Sequence, residues 1–100
     1  MQLQEIARVI RSKNAGPLRL TLDVMFDKEE DYRRVQASGA LSASQVAALY
    51  GQQVEDVEII EYPLALAIKI VLPRWITAGD PGDRDVYGAQ QHAPLLGIEV

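Results

Sequence analysis

The stretch Leu18 to Phe26, LRLTLDVMF, restricts the fold more than any other part of this chain. In it Leu18, Leu20, Leu22, Val24 and Phe26 alternate with Arg19, Thr21, Asp23 and Met25. Successive side chains of an extended strand point to opposite faces, so this period of two sets an apolar row against a core and a more polar row away from it. A strand over 18–26 is expected. Ala65 to Leu72 has the same period, with Leu66, Ile68, Ile70 and Leu72 on one face and Ala67, Lys69 and Val71 on the other. Val57 to Tyr62 reads as a further strand, and only Pro63 and Leu64 separate it from the one at 65–72, so these two are expected as an antiparallel pair.

Between and around the strands the period changes. Leu3, Ile6, Ala7, Val9 and Ile10 fall at helical spacing, with Gln2, Glu5, Arg8 and Arg11 opposite, which predicts an amphipathic helix over 3–12 that Asn14, Gly16 and Pro17 stop. Asp27 and Glu30 have the capping-box spacing and predict a helix from Lys28 to Ser38, with Tyr32 and Val35 inward and Gly39 as its stop. Ser42 and Gln45 repeat the pattern before Val46, Leu49 and Tyr50, and Gly51 ends that helix. Asp85 can cap a short helix from Val86 to His92, limited by Pro94, and Leu96, Ile98 and Val100 outline a last strand within 95–100.

Set in order, these elements describe an α+β chain. After the first helix they read β-α-β-β-α-β, a ferredoxin-like sandwich with an extra N-terminal short helix and a two-helix first crossover. Strands 18–26 and 65–72 then lie at the sheet centre, and 57–62 forms an edge where Glu58 and Glu61 discourage pairing with other edges. The sheet face away from the helices carries Arg19, Thr21, Asp23 and Met25 beside Ala67, Lys69 and Val71, a mixture that suits either a solvated face or one covered by another chain. One hundred residues, 48% of them apolar, suit one domain over 1–100 with one core.

Composition narrows the function classes. A net charge of −4, with Lys and Arg scattered rather than striped, argues against a nucleic-acid partner. The absence of Cys removes disulfides, thiolate catalysis and thiolate metal ligands. Leu64 to Leu72, the longest apolar run, is broken by Lys69 and falls far short of the roughly 20 residues of a membrane helix. The N-terminal MQLQEIARVIRSKN lacks the basic start, apolar centre and cleavage site of a secretion signal, so a cytoplasmic location is expected, without membrane association. No motif calls for a cofactor.

Chemistry concentrates in Gly79 to Pro94, GDPGDRDVYGAQQHAP. His92, the only histidine, is the one side chain whose ordinary pKa suits acid–base work near neutrality, and Tyr87, Gln90 and Gln91 can donate to a substrate carbonyl. A lone His before Ala-Pro equally suits capping or packing. Asp80, Asp83 and Asp85 offer hard oxygens, yet their spacing fits no EF-hand, and turn and capping roles account for all three. No metal is expected, with Asp80 and Asp83 only weak candidates. A second cluster, Arg8, Arg11, Ser12, Lys13 and Asn14 with the Gly16 backbone, can form an anion nest. If it ends a helix, however, the dipole there opposes anions and favours the same cations for structural reasons. Trp75 suits an interface anchor or a cover for the end of the core.

Read together, RSKNAGP at 11–17, the strand at 18–26 and GDPGDRDVYGAQQHAPLL at 79–96 resemble a small family of about one hundred residues named as a domain of unknown function. The chain is similar, more distantly, to the C-terminal ferredoxin-fold domain of the AtuA-type acyclic terpene utilisation proteins. Arg11, Ser12, Lys13 and Gly16 match a loop before that domain's first strand, and Asp85 and Gly88 a helix start before its last. Asn14 and Ala15 break the first pattern, and Ala89 stands where the second has Lys. The resemblance implies a small subunit or accessory domain of a larger AtuA-type protein in catabolism of branched organic acids or their CoA thioesters. Two other readings compete. One is a self-sufficient small hydratase or isomerase with His92, Lys13 and Asp85 catalytic and Arg11, Ser12, Asn14, Gly16, Tyr87, Gln90 and Gln91 binding an anionic small molecule. The other is a homo-oligomeric ligand-binding module. Because first and last strands neighbour one another in a ferredoxin-like sheet, segments 11–17 and 79–94 are expected to meet.

Overall fold

The computed structural model describes residues 1–74 and 92–100. Along the chain come α1 (Leu3–Ile6), β1 (Val9–Asn14), β2 (Arg19–Met25), α2 (Glu29–Ser38), α3 (Ala43–Tyr50), β3 (Glu58–Tyr62), β4 (Ala67–Pro73) and α4 (Ala93–Leu96), with 3-10 turns at Val54–Asp56 and Pro63–Ala65. The strands form one four-stranded sheet, β1-β2-β4-β3, antiparallel throughout. Helix and strand mix as in an α+β protein.

The period-two rows of β2 and β4 face each other in this sheet. Leu20, Leu22 and Val24 lie opposite Leu72, Ile70 and Ile68, and all six are buried. At about 1.5–3 kcal/mol for each large aliphatic side chain removed from water, this row is the main source of cohesion. Tyr32 and Val35 of α2, Val46 and Ala47 of α3, Leu3 of α1 and Leu95 of α4 complete one buried cluster with it. Phe26 meets the edge of the Tyr32 ring, centroids 6.1 Å apart at 75°. Ser42 caps α3 by accepting from the Gln45 N–H at 3.3 Å, and Gly39 and Gly51 end the two central helices in the left-handed conformation.

At the N-terminus the structure corrects the reading of one helix over 3–12. Helix α1 stops at Ile6, Ala7 is extended, and Val9–Asn14 becomes strand β1 against β2. The apolar residues of 3–10 fit a helix period over so short a span, but β-branched Val9 and Ile10 fit a strand as well, and the pairing covers an otherwise open edge of β2. The Arg11–Asn14 cluster therefore lies on a strand, and the dipole objection to an anion site falls away.

A second correction concerns the C-terminus. The expected strand at 95–100 is instead helix α4 followed by a single bridge between Gln2 and Glu99. Pro94 sits in the first turn of this helix, which its fixed φ suits. Segments at the two ends lie together: Leu3 N–H donates to Ile98 O at 2.7 Å and Val100 N–H to Met1 O at 2.9 Å. The edge position beside β2 belongs to β1.

Three smaller expectations also shift. Leu18 stays outside β2 and is 63% exposed. The N-cap of α2 is Lys28 without a side-chain bond, while Asp27 pairs with Arg8 at 3.5 Å instead of capping. Leu66 adopts φ 51°, the one positive φ outside glycine among the described residues, so β4 begins at Ala67.

Candidate functional site

Strand alternation divides the basic cluster of β1. Ile10, Ser12 and Asn14 lie opposite Val24, Leu22 and Leu20 and so share the helix-covered face, whereas Arg11 and Lys13 lie opposite Asp23 and Thr21 on the other. Arg11 donates from Nε to Asp23 Oδ2 at 3.1 Å, and Asp23 lies across from Lys69, so charges alternate along that face. Lys13 is exposed, and its carbonyl accepts from the buried Thr21 hydroxyl at 3.2 Å. Arg11 and Lys13 therefore point away from the face that Ser12 shares with the helices.

On the inner face the arrangement differs. Ser12 is 6% exposed, and its Oγ lies 3.5 Å from Nδ1 of His92, the half-buried residue that precedes α4. Depending on the tautomer, Ser12 donates to the ring or accepts from it. Asn14, two residues on and half-buried, accepts at Oδ1 from Arg74 Nη1 at 2.7 Å. Arg74 follows β4 directly, and its backbone N–H donates to Leu18 O at 3.0 Å, which carries the side chain past β2 to reach β1. Ser12, Asn14, Arg74 and His92 thus gather about the inner side of one edge strand. Gly16, exposed with φ 84°, makes the turn from β1 to β2.

This set combines a guanidinium, an imidazole, a hydroxyl and an amide, donors that suit a carboxylate or another small anion. It is poorly built for nucleophilic attack by serine. Ser12 is buried within a strand rather than raised on a sharp turn, and among the described residues no carboxylate orients His92. Nor does any group of three His, Cys, Asp or Glu among the described residues form a metal cluster. Asp80, Asp83, Asp85, Tyr87, Gln90, Gln91 and Trp75, candidates from the sequence, lie outside the described residues, as does the helix expected from Val86 to His92 in all but its last residue. Arg74 enters the site from the structure alone. Its only signal is a single base directly after a strand-ending proline, which says nothing about the reach of its side chain.

Two tyrosines stand apart from this set. Burial raises the pKa of Tyr32, with Glu61 adding to the rise and Arg33 opposing it, and the buried Tyr32 hydroxyl has no hydrogen-bond partner among the described residues. Burial also raises the pKa of Tyr50.

No helix among the described residues is long and apolar enough to cross a membrane. Comparison with curated proteins and with solved structures returns no match. A family described as a domain of unknown function, DUF4387, matches residues 3–99, and the chain belongs to that family.

Proposed function

With membership of that family as the premise, we propose that the chain is a small subunit or accessory domain that binds an organic-acid anion through Ser12, Asn14, Arg74 and His92. Its wider setting in this reading is a larger AtuA-type protein that handles branched organic acids or their CoA thioesters, in the cytoplasm. The observation that carries the binding site is the 3.5 Å contact between Ser12 Oγ and His92 Nδ1, beside the Arg74–Asn14 bond. Polar side chains from β1, from the end of β4 and from the start of α4 converge there, from positions far apart in the chain. The AtuA connection rests on the sequence resemblance at Arg11, Ser12, Lys13 and Gly16 and at Asp85 and Gly88.

The finer fold reading belongs with it. In the order β1-β2-β4-β3, strand β4 sits between β2 and β3 as in a split β-α-β unit, with α2 and α3 as crossover. We read the sheet as ferredoxin-like, its fourth strand supplied from the N-terminal side by β1 rather than from the C-terminus.

Calorimetric titration of the purified chain with short dicarboxylates and with acyl-CoA tests the site. Saturable binding that weakens about tenfold in His92→Ala and in Arg74→Gln is expected, the loss of one charge-assisted hydrogen bond each. Affinity unchanged in both variants would remove the proposal. The subunit reading has its own test, co-purification from the native host, and fails if only a lone monomer is recovered. The alternative of a self-sufficient hydratase or isomerase is favoured only by the Ser12–His92 contact as a path for a proton, and requires turnover that His92→Ala abolishes.

A further inference from the structure

Edge strand β3 carries a different surface. Among the described residues β3 pairs on one side only, with β4, which leaves a row of backbone N–H and C=O groups directed outward. Above it, between β3, α2 and the turn into α3, lies a cavity of about 390 Å³. Val35, Leu41, Ile59 and Ile68 supply its apolar wall, and Gln36 and Glu61, bonded at 2.6 Å, are part of its rim. That volume falls within the roughly 300–1,000 Å³ of pockets that hold small ligands, ample for a single aliphatic side chain.

Charge singles out the same edge. From Val35 to Ile68 the sequence contains no Lys, Arg or His and four acids, Glu55, Asp56, Glu58 and Glu61. The other residues hold ten acids and ten Lys or Arg, so the whole net charge of −4 resides in this stretch. All four acids are exposed, and none forms an ion pair among the described residues. Lys69, across from Ile60, lies on the sheet face away from the cavity.

We propose that the outer edge of β3 docks an extended segment of a basic partner protein by strand addition, alternate apolar side chains entering the cavity beside Ile59 and basic ones lying near Glu58. Strand addition takes its affinity from main-chain hydrogen bonds and its selectivity from pockets for alternate side chains, and both are present here. Acidic residues deter a second acidic edge and attract a basic one, which supplies the discrimination. Strand β1 of a second copy is a poorer occupant, because its Arg11 is already paired with Asp23. This surface is separate from the Ser12–His92 site, and either proposal can fail alone.

Fluorescence anisotropy of the purified chain with a short labelled peptide alternating lysine and valine tests the inference. Its controls are the glutamate–valine counterpart and a lysine–valine peptide N-methylated at every second residue, which cannot pair with a strand. Saturable binding is expected for the unmethylated lysine peptide alone, about tenfold weaker in an Asp56→Lys/Glu58→Lys variant, as the loss of two charge contacts at the strand edge implies. Equal binding of the acidic peptide, equal binding of the methylated peptide, or no binding of any of them overturns the proposal. Concentration-dependent self-association in the ultracentrifuge that the double variant abolishes also overturns it and assigns the edge to a second copy.

Discussion

On β1, Ser12 is almost wholly buried and its hydroxyl lies 3.5 Å from His92 Nδ1, while on α2 the Tyr32 hydroxyl is just as buried and has no hydrogen-bond partner among the described residues. Both positions belong to the layer over the inner face of one sheet. A buried polar group without a partner costs roughly 1–3 kcal/mol, whereas a satisfied one is close to neutral. The contrast shows two reasons for keeping a hydroxyl in a core. Tyr32 is held for its ring, which packs edge-on to Phe26, and its oxygen is a burden carried along with it. Ser12 offers little apolar area, so its oxygen and the imidazole it meets are what that position supplies.

The harshest test removes what the two regions share. Leu22 lies opposite Ser12 on one side and Ile70 on the other, fully buried. Leu22→Ala should destabilise the fold by about 3 kcal/mol through lost burial and a cavity, read from the midpoint of guanidinium unfolding. If β1 melts separately from the rest in that variant, the two regions do not share one core.

A gentler test addresses the contact itself. Ser12→Ala and His92→Ala should each cost about 1 kcal/mol, and the double variant less than their sum, because the same interaction is lost in all three. Additive losses would show that the two side chains are neighbours without an energetic link. Tyr32→Phe should move the other way, gaining about 1 kcal/mol by removing an oxygen that has no partner among the described residues.

Alkaline pH sharpens the contrast further. Burial, reinforced by Glu61 and opposed by Arg33, raises the Tyr32 pKa, and burial raises that of Tyr50, both from an ordinary 10.0. The unfolded chain therefore releases these phenolic protons first. Stability linked to them is intact below about pH 10 and is lost as pH climbs toward the folded values, so thermal midpoints should fall above pH 10 and fall less in Tyr32→Phe. An equal fall in that variant would assign the loss to other groups. The smallest effect belongs to the exposed face of β1. Arg11→Met removes a pair with Asp23 and should cost less than about 1 kcal/mol, fading in high salt.

How far the sequence discloses this depends on the local pattern. Strands β2 and β4 are legible because buried Leu and Ile alternate with more polar residues over seven positions, and Ser42 and Gly51 mark α3 by local chemistry. Strand β1 is hidden because the inner positions that would reveal its period hold Ser12 and Asn14, so the apolar row breaks after Ile10. At the C-terminus Leu96, Ile98 and Val100 alternate over too few residues to outweigh the helix start at Pro94. The site was half visible for the same reason. Ser12, Asn14 and His92 stand out by residue type, Arg11 and Lys13 share their segment but alternate to the opposite face, and Arg74 depends on a tertiary path no local pattern encodes.

The sheet order also bears on how quickly the protein reaches its native state. Two pairings are local in sequence, β1 with β2 across residues 15–18 and β3 with β4 across 63–66, and each can close early as a hairpin. The central seam between β2 and β4 joins residues more than forty positions apart, and α2 and α3 must be threaded between them first. Docking of the two hairpins along Leu22 and Ile70 should then be the rate-limiting event, so substitutions on that seam slow refolding while those at the outer ends of β1 and β3 mainly speed unfolding. Stopped-flow chevrons of the two classes of variant separate these outcomes. A nascent chain that has made β1 and β2 thus holds an open strand edge until β4 emerges, and the interval is set by the length of the helical crossover.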